Sequence, residues 1–188
     1  MLYQIISLLL EVAAGLIAGT CLLRLYMQYQ RISMSVRSGN PLAKFIFALT
    51  DWLVLPLRRV IPAAGRWDLA SLVGAFLMQL ALQAVLWLLR GASESVVAVG
   101  IYAVFGLARM AISGMTGLVI IYAILSWMQT RSVGADFLER LVLPVLLPIR
   151  RVVPLVGGID LSPLVLLLIL QVAGIVLGSI QAAVLFAI

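Results

Sequence analysis

Apolar positions run almost unbroken through four stretches of the chain, separated by shorter segments where polar residues recur. Residues 3–29 are apolar except for Gln4, Ser7, Glu11, Thr20, Arg24 and Gln28. A hydrocarbon core needs about 20 helical residues to cross, so this stretch predicts a first span. Residues 69–89 predict a second, with Gln79 and Gln83 as its only strongly polar members. Residues 96–127 are apolar apart from Arg109 and small hydroxyls. As one helix they would be about 48 Å long against a core of about 30 Å. The expectation is a third span over about 105–128, preceded by an extension or a separate helix at the outer interface. Ser162 before Pro163 reads as an N-cap followed by proline at the first helical position, opening a fourth span over about 162–187.

Between the spans lie two connectors. Residues 42–57 carry Lys44, Thr50 and Asp51 among large apolar side chains, and residues 137–149 show a similar mixture. Both are short and marked for a span, and predict amphipathic helices that are interfacial or re-entrant. Pro56 and Pro62 are expected to end the first of them, since proline lacks an N–H and clashes with the preceding turn. Asp68 is expected to cap the second span.

The connectors contain the same motif twice. Pro56, Arg58, Arg59, Pro62, Gly65 and Asp68 recur without a gap as Pro148, Arg150, Arg151, Pro154, Gly157 and Asp160. The same offset of 92 places Gln79 on Gln171, and the end of the first span aligns Gln28 with Gln129. The chain therefore reads as two copies of one unit, 1–90 and 96–188. The fold class that follows is all-α, with four transmembrane helices as two parallel tandem repeats related by an axis along the membrane normal.

Composition agrees: 64% of the 188 residues are hydrophobic, 11% are charged, and the mean hydropathy is +1.21. No water-soluble surface accommodates this, so the chain is an integral membrane protein. A cleaved signal is disfavoured by the missing basic n-region and the equivalent helix in the second copy. The net charge is +6, and ten of the thirteen basic residues fall in the two connectors, six between Arg31 and Arg66 and four between Arg131 and Arg151. By the positive-inside rule both connectors are cytoplasmic and both termini outside. The basic residues suit a membrane surface and no nucleic-acid partner is implied.

With no histidine and one cysteine, Cys21, the chain offers no disulfide, zinc site or histidine chemistry. Lys44 is the only lysine, and no aspartate lies within a span, so no activated nucleophile is visible. The expectation is a protein that is not an enzyme, with no cofactor and no metal.

The second copy of the motif is the fuller, with Pro144, Gly157, Gly158, Leu161, Ser162 and Pro163; the first has Trp52 for the first proline, Arg66 for the second glycine and Ala70-Ser71 for Ser-Pro. This pattern closely resembles the YggT family of small bacterial multi-pass membrane proteins with plastid relatives, and the resemblance covers essentially the whole chain. It implies a non-enzymatic protein of the bacterial inner membrane, associated with osmotic or cation stress and with assembly of membrane complexes. A motif that binds something is expected to be kept better in the second copy.

Two readings of the motif stay open. Arg58-Arg59 and Arg150-Arg151 either grip anionic lipid phosphates or a partner membrane protein, or serve as basic flanks that snorkel to water, with a structural pairing to Asp68 and Asp160. The glycines supply turn conformations rather than a phosphate loop. Gln79 and Gln171 are expected to hydrogen-bond across the repeats, and Glu11 and Arg109, at similar depth, either pair or snorkel separately. The functional expectation is a structural or assembly factor. The alternative is an oligomeric channel or transporter subunit for ions or small solutes.

Overall fold

The computed structural model describes all residues except 33–41, 62–64, 93–94, 129–131, 154–159 and 188. The described residues form six helices: α1 (Leu2–Tyr29), α2 (Ala43–Val60), α3 (Leu69–Leu89), α4 (Val96–Trp127), α5 (Val133–Arg150) and α6 (Ser162–Phe186). Four of them, α1, α3, α4 and α6, are long and apolar enough to cross a membrane. Their large apolar side chains point outward: Leu168, Val172 and Ile175 of α6 are 66%, 57% and 62% exposed. Water would penalise that surface, whereas hydrocarbon does not, and the helix satisfies its own backbone groups. The molecule is a multi-pass membrane protein.

Of the two forms expected for the segment before the third span, an extension or a separate helix, the structure has the extension: one 32-residue element, Val96–Trp127. Nothing in 96–108 can stop it, because there is no proline, and Arg109 finds a side-chain partner rather than forcing a break.

Pro56 was expected to end its helix but lies inside α2, and Pro62 lies outside the described residues; Pro144 and Pro148 lie inside α5, as the expected helix over 137–149 had them. Proline within a helix costs roughly 3 kcal/mol through the lost hydrogen bond and the ring clash. Tertiary anchors on both sides hold each helix straight through: Thr50 and Asp51 before Pro56 are bound by Arg24, and Arg58 beyond it is bound by Asp68. In α5, Val142 and Leu146 are buried around Pro144, and Arg150 is fixed just after Pro148.

The chain divides into two compact units, residues 1–111 with 180–188, and residues 112–179. In the first unit α1, α2 and α3 pack on one another around Ala18, Cys21, Val54, Ala70 and Ala75. These side chains are small, which lets helix backbones approach closely where no hydrophobic drive separates protein from lipid. Leu53, Leu57, Met78 and Met110 close the edges. At one end Arg90 Nε donates to Tyr3 Oη at 2.9 Å, and at the other Tyr29 packs on Trp67 with ring centroids 4.9 Å apart.

The second unit has a bulkier core of Val119, Tyr122, Val142, Leu146 and Leu166, with Leu118, Val145, Ile149, Leu167 and Leu170 around it. It draws on α4, α5 and the first part of α6. Ser132 caps α5, its Oγ accepting from Ala135 N at 3.2 Å.

Candidate functional site

Each connector closes with an arginine from the end of its helix reaching a carboxylate ten residues later. In the first unit Arg58 Nη2 donates to Asp68 Oδ2 and, at 3.2 Å, to Gln28 Oε1. Asp68 is fully buried and also caps α3, accepting from Ser71 N at 3.3 Å and from Ser71 Oγ at 2.8 Å. Burial alone would raise its pKa, but the hydrogen bonds from Arg58 and Ser71 outweigh that and leave it below the usual carboxylate value. Gly65, at the turn between them, has a φ of +63°, a conformation that side chains with a Cβ resist.

In the second unit Arg150 Nε donates to Asp160 Oδ2 at 2.7 Å, and its Nη2 donates to Tyr122 Oη at 2.6 Å. Burial pulls the Arg150 pKa down, and Tyr122 and Asp160 together more than reverse it. For Asp160 burial is again opposed, here by Ser162 and Arg150, and the result is a lowered carboxyl pKa.

The cap of α6 corrects the sequence expectation. Asp160 Oδ1 accepts from Ser162 N at 2.9 Å, while Ser162 Oγ is buried and takes no partner among the described residues. The carboxylate, already oriented by Arg150, takes the capping role, and the helical hydrogen bonds begin one residue early at the Leu161 carbonyl.

Arg59 and Arg151, the second member of each pair, are exposed and make no hydrogen bond or ion pair among the described residues. Pro154, Gly157 and Gly158 lie outside the described residues.

The intramembrane polar residues separate into different environments. Gln79 is buried, its Oε1 without a hydrogen-bond partner among the described residues and its amide group pressed against the backbone of Gly106. Gln171 is exposed on α6. Arg109 Nη2 donates to Gln181 Oε1 at 2.8 Å, and Glu11 is exposed with no partner among the described residues, so Glu11 and Arg109 are not brought together. Met110, rather than Arg109, faces the Gly15 and Gly19 positions of α1. Successive helix residues differ by about 100° around the axis, which turns Arg109 away.

Sequence reasoning missed the residue at the centre of the first unit. Arg24 is 2% exposed; its Nη1 donates to Thr50 Oγ1 at 2.7 Å and to Asp51 Oδ1 at 2.6 Å. Its guanidinium carbon stands 5.0 Å from the Phe47 ring centroid, and its Nε is 3.8 Å from Asp68 Oδ2. The signal was present: a guanidinium in an apolar helix needs a carboxylate, and Asp51 was the polar interruption of the helix that follows. Tyr122 and Gln181 gave no comparable signal, being ordinary residues in apolar runs.

The chain matches CCB3/YggT over residues 1–89 and 101–181. The chain belongs to the CCB3/YggT family. Among its relatives, the "Uncharacterized protein in proC 3'region" of Vibrio alginolyticus is 35% identical over 179 residues, covering 93% of this chain and 94% of the relative. The "Uncharacterized protein YggT" of Escherichia coli strain K12 is 34% identical over 184 residues, covering 95% and 92%. "Uncharacterized protein PA0392" of Pseudomonas aeruginosa is 33% identical over 167 residues, covering 87% and 83%. No solved structure gives a significant match.

Proposed function

We propose that this CCB3/YggT protein is a non-enzymatic structural or assembly factor of the bacterial inner membrane. Its exposed connector arginines hold anionic lipid phosphates or a partner membrane protein, and this supports tolerance of osmotic and envelope stress. The observation that carries the reading is the division of labour within each arginine pair. Arg58 and Arg150 are committed to Asp68 and Asp160, while Arg59 and Arg151 next to them are exposed and unpaired among the described residues. The first arginine stiffens the turn, and the second presents a forked donor group to phosphate or carboxylate.

The proposal includes two parallel copies of one unit, with both connectors cytoplasmic and both termini outside. Core registers support the duplication. Ala18, Cys21, Val54 and Ala75 in one core stand at the sequence positions of Val119, Tyr122, Leu146 and Leu167 in the other. The crowding of basic residues in the connectors supports the orientation.

The test pairs Arg59→Gln with Arg151→Gln in one chain. At unchanged protein level, retention of phosphatidylglycerol through purification and survival of hyperosmotic shock should both fall. Retention and survival equal to wild type would overturn the reading. Solute flux in proteoliposomes that is abolished by Gln79→Leu with Gln171→Leu would transfer it to the oligomeric-channel alternative. A cysteine at Arg37 should resist impermeant labelling from outside, against a low background because the native Cys21 is fully buried. Labelling of that cysteine would overturn the orientation.

A further inference from the structure

We propose that the first unit contains a built phosphate pocket where the ends of α1 and α2 meet, taking one phosphodiester group of an anionic lipid. This rests on the lipid-contact reading above and assigns it to different residues. The cavity has a volume of ≈ 320 Å³ and is lined by Arg24, Gln28, Arg31, Ile32, Phe47 and Arg58. That is about the lower end of ordinary ligand pockets and suits a headgroup rather than a whole lipid.

Three guanidinium groups converge there, and two are held rigidly. Arg24 is fixed by Thr50, Asp51 and the Phe47 ring, and Arg58 by Asp68 and Gln28. Arg31 is exposed and its side chain makes no hydrogen bond or ion pair among the described residues. Its backbone sits at φ +56° as the left-handed residue of the cap that ends α1, with Arg31 N donating to the Gln28 carbonyl and Ile32 N to the Met27 carbonyl, each at 3.0 Å. The three arginines face two carboxylates, Asp51 and Asp68, which leaves one positive charge for a ligand to neutralise. A phosphodiester carries one negative charge.

Arg24 supplies the second observation. Its Nε is buried and has no hydrogen-bond acceptor among the described residues, Asp68 Oδ2 at 3.8 Å being within ion-pair distance but beyond hydrogen-bonding reach. A buried donor left unmade is costly, so one residue of the pocket wall is left under-satisfied by the described protein groups. Ile32 and Phe47 add apolar wall, which favours a phosphate attached to hydrocarbon over a free one. The second unit has no counterpart: Leu125, Val142 and Leu143 occupy the positions of Arg24, Thr50 and Asp51.

The experiment uses the full chain purified in a neutral detergent and titrated separately with phosphatidylglycerol, phosphatidylcholine and inorganic phosphate. Arg31→Asn is the test variant, because asparagine tolerates a positive φ and the Arg31 side chain makes no hydrogen bond or ion pair among the described residues. Arg140→Gln removes the same charge in the second unit as a control. Saturable phosphatidylglycerol binding, weakened at least about tenfold by Arg31→Asn and unchanged by Arg140→Gln, supports the pocket; that is the scale of one hydrogen bond to a charged group. Inorganic phosphate binding with the same dependence on Arg31, and no phosphatidylglycerol binding, keeps the pocket as a free-phosphate site and overturns the lipid reading. Phosphatidylglycerol binding that ignores Arg31→Asn but falls in the Arg59→Gln, Arg151→Gln chain overturns the pocket and leaves the preceding proposal standing. No binding of either anion overturns the pocket and the lipid branch of the preceding proposal.

Discussion

Arg24 reaches Asp51 across the α1–α2 contact with 2.6 Å between Nη1 and Oδ1, and the two side chains are unequally buried, 3% and 39% exposed. The inequality decides which loss is worse. Removing Arg24 leaves Asp51 able to hydrate and Asp68 still paired to Arg58, whereas removing Asp51 leaves a buried guanidinium with Thr50 and only a 3.8 Å carboxylate, Asp68, that Arg58 already engages. Asp51→Ala should therefore cost about 3–5 kcal/mol, the scale of an uncompensated buried charge, and Arg24→Met distinctly less. The double variant should sit near Arg24→Met. Thermal unfolding in detergent reads this order directly, and Arg24→Met proving the more damaging would refute it.

The two capping carboxylates give the protein a signed pH dependence. Asp68 and Asp160 both have folded-state pKa values lowered from 3.8. A carboxyl whose folded pKa is depressed contributes stability that is present above the unfolded value, about 3.9, and is lost as pH falls through the folded one. Unfolding temperature should be flat from neutral pH to about 5 and fall below about 4. Asp68→Asn should be less stable at neutral pH by about 1–3 kcal/mol and lose less on acidification. An unchanged acid slope in the Asp68→Asn, Asp160→Asn double variant would remove these groups from the account.

Much of the fold was legible because lipid solvent imposes long apolar runs, and the four spans announce themselves through length alone. The Arg58–Asp68 and Arg150–Asp160 closures were also foreseeable, since the motif repeats both partners at one spacing. What the sequence hid was tertiary. Proline chemistry predicted a break at Pro56, but anchors from other helices carry α2 through it. Ser162 has the right chemistry for a cap, yet the charge of Asp160, oriented by Arg150, wins. Arg24 read as an interruption of α1 because its partners come from a different helix. Motif completeness drew attention to the second connector, whereas the denser buried charge network lies in the first.

Gln79 and Gly106 offer a test of packing within the first unit. A Cβ built on Gly106 would collide with Gln79 Nε2 and lie 3.1 Å from its Cδ. Gly106→Ala should destabilise by about 1–3 kcal/mol, the usual cost of overpacking. Gln79→Ala should relieve the clash, so the double variant unfolds above Gly106→Ala alone. Gly100, also in α4, has open space around its Cβ position. Gly100→Ala should be neutral or stabilising, by up to about 1 kcal/mol, because alanine loses less entropy in a helix. Equal effects of the two glycine substitutions on detergent-solubilised unfolding would count against the contact.

Arg109 tests which partner satisfies a charge inside the span. Depth matching along the helices allowed a pair with Glu11 and left separate snorkelling equally open, because depth fixes only one of two cylindrical coordinates. The other is rotation, and Met110 occupies the sector of α4 that faces α1. Arg109 accordingly uses Gln181, donating from Nη2 at 2.8 Å, while Glu11 remains exposed. A double-mutant cycle of Arg109→Ala and Gln181→Ala should give a coupling of about 0.6 kcal/mol, up to about 1.7, as for side-chain hydrogen bonds between membrane helices. The cycle of Arg109→Ala and Glu11→Ala should be additive within about 0.5 kcal/mol. The charge exchange Glu11→Arg with Arg109→Glu should then fail to recover the stability lost by each single change. Recovery in that exchanged chain would place the two residues in contact and overturn the Gln181 assignment.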